Sequence, residues 1–309
     1  MISSRRATVL ALLATLTTAA ACGDRPKTDF DGKAALGHIR TQLAFGPRIP
    51  GSEGARKTGD WIVAQMKPLV DTVVEQRWTH VTAKGDTLPL RNILARIRPN
   101  EKQRVLYVTH WDTRPVADSD PDPGKRREPV MGANDGASGP AMFIEIARVL
   151  KKTPPQFGVD FLFVDGEDYG DFGTDTDVLL GSKYFADHLP EADYRPLFGV
   201  LWDMIADADL RLPEEANSVQ AAPEVVARVW GVADDLGYDK YFPQEPGYAV
   251  TDDHVPLLKK GLRVIDVVDI DYVSQQKNYH HTTMDTIDKV SSKSLQVVGD
   301  VAVSLVSGR

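Results

Sequence analysis

Histidine and carboxylate side chains recur in this chain directly after short apolar runs. His110 and Asp112 stand in VTHWDT and Asp135 in GANDGASG. Glu167 and Asp168 follow in FLFVDGEDYG, Asp203 in VLWDMIA, and His280 and His281 in YHHTTMD. Nitrogen and oxygen donors without cysteine are the set that a zinc ion accepts in a catalytic site. Open parallel sheets collect such groups beyond the carboxyl ends of their strands. Together the residue types and their placement predict a metal-dependent enzyme.

Each motif also has a plainer reading when taken alone. An HxD is often an ordinary polar strand end, although side chains two apart on a strand point the same way. Asp112 is therefore expected to accept the second ring N–H of His110. Asp135 would serve equally as the N-cap of the helix that follows. Glu167 and Asp168 would be unremarkable in a solvated loop, but adjacent carboxylates at the end of a buried strand are costly without a cation. If one of the two binds metal, the other is free to carry protons. Either histidine of the pair at residues 280–281 would by itself be a surface residue. The repetition at successive strand ends argues against coincidence. Thr251-Asp252-Asp253-His254 adds further polar groups before an apolar turn.

Other catalytic chemistries lack their residues. Gly136-Ala137-Ser138-Gly139 has the wrong spacing for a nucleophile elbow. Neither a P-loop nor a dinucleotide fingerprint is found. The single cysteine, Cys22, lies near the start of the chain.

The elements that must position these groups follow from periodicity. Residues 34–45 read as a helix, and Ser52 as the cap of a second helix that buries Trp61, Ile62 and Met66. Residues 73–81 read as an edge strand, and residues 90–97 and 105–109 as a hairpin-linked pair. Beyond them, strands at 159–164, 198–205 and 262–268 alternate with helices at 139–150, 223–236 and 295–306. That alternation predicts a single α/β domain around a central, mostly parallel mixed sheet flanked by helices, with the metal site at the strand carboxyl ends.

The chain has 309 residues, is 42% hydrophobic and carries a formal net charge of -8, with no basic stripe for a nucleic-acid backbone. Arg5 and Arg6 precede an apolar stretch that ends in small residues at Cys22, the pattern of a signal peptide over residues 1–22. Ala19-Ala20-Ala21-Cys22 resembles a bacterial lipobox with alanine where leucine is usual, and a secretory signal with a chance cysteine is the other reading. Residues 23–33 read as a tether and residues 34–309 as the catalytic domain. Export to the periplasm or cell envelope is the expectation, with contact to membrane only through a lipid on Cys22.

In order, HxD, GANDGASG, DGEDYG, LWDM, TDDH and HHTTMD resemble the zinc aminopeptidase family that also contains the glutaminyl cyclases, from Phe45 to the C-terminus. The resemblance implies Asp135, Asp168 and His281 as zinc ligands and Glu167 as proton shuttle. In the two-zinc aminopeptidases the residue matching Asp135 bridges, and those matching His110 and Asp203 hold the second ion. In the cyclases one zinc suffices, and carboxylates matching Asp203 and Asp252 form a network beside the substrate amine.

The loop after His110 and the DGEDYG motif look like those of bacterial cyclases of the animal-like type. Thr251-Asp252-Asp253-His254 resembles the cyclase pattern, whereas the peptidases tend to carry serine before the Asp-His pair. His280 occupies the place of a tryptophan that packs on the substrate, and Asp266 that of a histidine in the animal enzymes. The implied activity is conversion of an N-terminal glutamine of peptides or proteins to pyroglutamate with release of ammonia. A two-zinc aminopeptidase is the alternative, and a non-catalytic peptide-binding envelope lipoprotein a third.

Overall fold

The computed structural model describes residues 27–274 and 277–307. The expected signal peptide and Cys22 lie outside the described residues. The backbone N–H groups of Lys27 and Thr28 each donate to the buried Asp300 at 3.0 Å, and Phe30 packs into the core beside Gly299. Asp31 then caps α1 (Gly32–Ala44) through the Lys33 and Ala34 N–H groups. The packed fold thus starts inside the stretch whose polarity suggested a tether, because one aromatic and one cap residue suffice to dock it.

Six strands form one sheet. In chain order they are β1 (Thr72–Val81), β2 (Thr87–Ile97), β3 (Arg104–His110), β4 (Gly158–Val164), β5 (Phe198–Asp203) and β6 (Val264–Val268). Their spatial order is β1-β2-β4-β3-β5-β6. β2 runs antiparallel to both of its neighbours, β1 and β4, while β4, β3, β5 and β6 are parallel. The mixed, mostly parallel α/β architecture is as the sequence predicts.

The expected pairing of β2 with β3 is not found: β4 lies between them, with Ile93 opposite Phe163 and Val105 opposite Val159. Every residue of β4 is buried, which requires a neighbour on both sides. Asp160 fixes the insertion. It pairs with Arg96 of β2 at 3.0 Å and Arg104 of β3 at 2.6 Å, and accepts the Tyr194 hydroxyl at 2.8 Å.

Alternation along the inner strands feeds two cores, as a period of two requires. Val105 and Tyr107 of β3 join the larger one, while Leu106 and Val108 join the smaller. The larger core is closed by α1, α2 (Glu53–Met66), α3 (Ser138–Lys152), α6 (Pro223–Asp235) and α8 (Ser292–Ser307). On the opposite face α4 (Leu180–Asp187) and α7 (His254–Lys259) contribute Phe185 and Leu257. A short α5 (Ala216–Ala221) lies beside β6. Ser52 caps α2 as expected, its Oγ accepting the Ala55 N–H at 3.1 Å. Among the described residues no helix is long and apolar enough to cross a membrane.

Candidate metal centre

The parallel strands deliver their carboxyl ends to one place. His110 ends β3, Glu167 and Asp168 follow β4, Asp203 ends β5, and Asp135 precedes α3. His280 and His281 arrive from the loop before α8. The ligand-bearing atoms of Asp135, His280 and His281 lie close enough together to hold one metal ion, as do those of His110, Asp135 and Asp203. Asp168 adjoins the first group, with Oδ1 3.2 Å from His281 Nε2, which is itself 3.7 Å from Asp135 Oδ2. The geometry therefore gathers Asp135, Asp168, His281, His110 and Asp203. It also brings His280 within 3.9 Å of Asp135 Oδ2.

The hydrogen bonds divide these atoms into two classes. His110 Nε2 lies 2.9 Å from Asp203 Oδ1 and 3.1 Å from Asp135 Oδ1. Asp135 Oδ2 and Asp168 Oδ2, in contrast, are buried with no hydrogen-bond partner among the described residues. Two stranded carboxylate oxygens beside an imidazole are an unmet demand for positive charge, and this mixed nitrogen and oxygen set fits zinc.

The local electrostatics agree. Burial alone would lower His110, but the carboxylates of Asp203, Asp112 and Asp135 outweigh it and raise its pKa well above the ordinary value. Asp135, which burial would raise, is held well below the usual carboxylate range by His110, His281 and His280. Burial lifts Glu167 far above its normal value, and Asp252, Asp168 and Asp253 add to this against His110. Asp252 is pushed up to about 7 by burial and by Asp203. His280 is pushed down to about 4 by burial and by His281, leaving its ring neutral.

A cavity of about 540 Å³ opens over these groups. Asp135, Glu167, Asp203, Asp252, His280 and His281 line it, with Phe172, Met204 and Tyr248 among its apolar walls. Asp266 does not line this cavity. It is fully buried in β6, and its Oδ2 lies 3.8 Å from His254 Nδ1. A larger cleft of about 710 Å³ between α2 and β1–β2 contains none of these groups.

Two expectations change at close range. Asp112 stands 3.6 Å from His110 Nδ1, beyond hydrogen-bond reach. Its two oxygens instead accept the backbone N–H groups of Glu167 and Asp168. Asp135 does not cap α3, whose N-cap position is Ala137 with no side-chain bond. The Asp135 loop is held from elsewhere. Asp285 accepts the N–H groups of Asn134 and Asp135 at 2.9 and 3.1 Å. Arg48, fully buried, donates to the carbonyls of Trp111, Met131 and Gly132 at 3.1, 2.7 and 2.6 Å. At Gly136, φ is +91° and a Cβ would lie 2.1 Å from the Asp112 carbonyl, so only glycine fits.

Sequence reasoning missed Arg48, Asp285 and Arg114, whose Nη1 donates to Asp168 Oδ1 at 2.8 Å. Their signals were present: an arginine inside the GPRIPG turn, an aspartate four residues after His281, and an arginine two residues after Asp112. Backbone strain also marks the place, since Met204 and His281 have φ of +47° and +56°.

Comparison with known proteins places this geometry. Residues 92–306 match Peptidase family M28. The crystal structure of Porphyromonas gingivalis glutaminyl cyclase superposes with a TM-score of 0.86 at 37% identity, covering 89% of this chain and 97% of that one. A Zn-dependent exopeptidase from Parabacteroides distasonis gives a TM-score of 0.86 at 34% identity, over 91% of this chain and 99% of its own. The Bacillus subtilis aminopeptidase YwaD is 25% identical over 274 residues, 84% of this chain. The chain spans about half of that aminopeptidase, 53% of its length. A profile match across the whole run of metal-site motifs, joined to full-length structural likeness at over 30% identity, leads to one conclusion: the chain belongs to Peptidase family M28.

Proposed function

We propose that this protein is a zinc-dependent glutaminyl cyclase that closes the N-terminal glutamine of peptides into pyroglutamate. One observation carries the reading. Within the gathered ligand set the buried, unpartnered oxygens belong to Asp135 and Asp168, while the Nε2 of His110 faces both Asp135 Oδ1 and Asp203 Oδ1. The demand for a cation thus falls on a single ligand set, as one-zinc chemistry requires.

Asp135, Asp168 and His281 would hold the zinc, which when bound polarises the γ-carboxamide and offsets negative charge on its oxygen. Asp203 and Asp252 face the cavity and suit the free α-amine of a substrate. That amine attacks the γ-carbonyl carbon, the new C–N bond closes the ring, and the bond to the amide nitrogen breaks. Glu167 takes a proton from the attacking amine and passes it to the departing ammonia. Burial raises its pKa well above the ordinary carboxylate value, which favours its holding the proton between the two transfers. Because both reacting groups belong to one residue, holding them in contact removes much of the entropic barrier. His280 lines the cavity with a smaller ring than the tryptophan of the cyclases, and that ring is neutral near pH 7. Asp266 lies buried in β6, where burial and the carboxylates of Asp252 and Asp203 hold its own pKa well above the ordinary value.

The second reading is a two-zinc aminopeptidase, favoured by the proximity of His110, Asp135 and Asp203. There Glu167 would serve as general base for hydrolysis. The deciding experiment incubates zinc-loaded protein with a glutamine-led peptide and reads the product by mass spectrometry. Loss of ammonia, absent with Glu167→Gln at unchanged zinc content, supports the cyclase. Release of the first residue with two bound zinc ions establishes the peptidase. Binding without any turnover would leave a peptide-binding lipoprotein.

Export and lipidation at Cys22 are proposed on the pattern of residues 1–22 alone. Labelling with a fatty-acid analogue should mark the wild type and not Cys22→Ser.

A further inference from the structure

β1 is a ten-residue edge strand without proline or bulge, paired to β2 in unbroken register from Thr72↔Arg96 to Val81↔Thr87. The opposite edge, β6, is buried throughout, and its Asp266 N–H donates to Ser218 Oγ at 2.8 Å. β1 has no such cover. Val74 and Val81 are among the exposed large apolar side chains, at 49% and 63%.

The register tells which backbone groups are free. The Thr82 N–H bonds the Asp86 carbonyl at 2.8 Å, continuing the β1–β2 ladder. Even-numbered residues of β1 therefore exchange hydrogen bonds with β2. The odd-numbered ones, Val73, Glu75, Arg77, Thr79 and Val81, present their N–H and C=O groups outward. Among the described residues, none of these outward groups has a backbone partner. A long unpaired edge of this kind is a template for another strand.

The sequence of β1 is complementary to itself in one antiparallel register. A two-fold axis at Gln76 sets Glu75 opposite Arg77 of a second copy, twice, and both are outward-bonding residues. Within one copy Arg77 Nη2 lies 2.6 Å from Glu75 Oε2, so pairing assembles four alternating charges around the axis. The same register sets exposed Val74 against Trp78, which is backed by its stack on Tyr184 at 4.1 Å. Axes at Glu75 or Arg77, which the backbone also permits, would oppose like charges.

We infer that two copies of this chain associate through their β1 edges, antiparallel and centred on Gln76, joining their sheets across a two-fold axis. This interface is isologous and independent of the chemistry at the metal centre.

The test uses the full-length chain carrying Cys22→Ser, so that neither lipid nor the native thiol contributes. Sedimentation velocity should show a concentration-dependent dimer. Arg77→Glu should weaken it by about tenfold or more, since two attractive cross-strand pairs become repulsive. The exchange Glu75→Arg with Arg77→Glu should restore it. Gln76→Cys should cross-link to itself on oxidation. Circular dichroism checks that each variant is folded. A monomer at all concentrations up to about 100 µM, well above the range of a specific dimer, overturns the inference. So does a dimer indifferent to Arg77→Glu, or a Gln76→Cys chain that resists cross-linking.

Discussion

Asp112 holds Glu167 by its backbone: Oδ1 accepts the Glu167 N–H at 3.1 Å while Oδ2 accepts that of Asp168 at 3.2 Å. One fully buried carboxylate at the end of β3 thus sets the loop after β4, and with it both a proposed metal ligand and the proposed proton carrier. Asparagine would keep one acceptor and turn an amide N–H against the other backbone donor. Asp112→Asn should therefore lower kcat by about 10–100-fold, the usual cost of losing an outer support of a metal site. Steady-state kinetics with metal analysis check it, and near-normal turnover would remove Asp112 from this role.

Arg48 should matter more for the fold than for the chemistry. Its guanidinium serves carbonyls from two loops that converge on Asp135. Arg48→Met leaves these carbonyls unpaired, at about 1–3 kcal/mol for each buried group. Calorimetry should show a melting temperature lower by several degrees. Zinc should also stabilise the variant less than it does the wild type.

Removing the metal should destabilise the protein. Asp135 and Asp168 would keep buried oxygens without partners. A ligand bound at a thousandfold above its dissociation constant contributes about 4 kcal/mol. Chelation should lower the melting temperature, and zinc should restore it. An unchanged melting curve would argue against any bound cation.

Stability should also fall with rising pH, through two buried carboxyls that are not among the proposed zinc ligands. Burial pushes Asp269 up to about 8 and Asp207 up to about 6. In the unfolded chain both ionise near the ordinary value of 3.8. A carboxyl whose pKa is higher in the folded state contributes stability that is complete below the unfolded value and is lost as pH rises through the folded one. The melting temperature should therefore decline between about pH 4 and pH 8, and Asp269→Asn should flatten the upper part of that decline. An equal slope in the variant would exclude Asp269 as its cause.

What could be read from the sequence was local. His110, Glu167, Asp168 and Asp203 were legible because an apolar run ending in a polar residue marks a strand end wherever the strand lies in the sheet, and Asp135 because small residues bracket it before a helix. The position of β4 between β2 and β3 was not, since pairing depends on partners far apart in the chain. Its one clue was an aspartate, Asp160, inside an apolar strand, which needed Arg96 and Arg104 on either side. Arg48 and Asp285 were hidden for another reason. They act on backbone groups, and a backbone group leaves no residue type to recognise.

The bonds from Lys27 and Thr28 to Asp300 also decide how the enzyme would sit on a membrane. Asp300 is fully buried and accepts the Tyr238 hydroxyl at 2.8 Å as well, so the chain's point of departure at Lys27 is fixed. From Cys22 to Lys27 even a taut backbone spans only about 18 Å. Under the proposed lipidation, this short leash would hold the α8 side of the molecule close to the lipid headgroups.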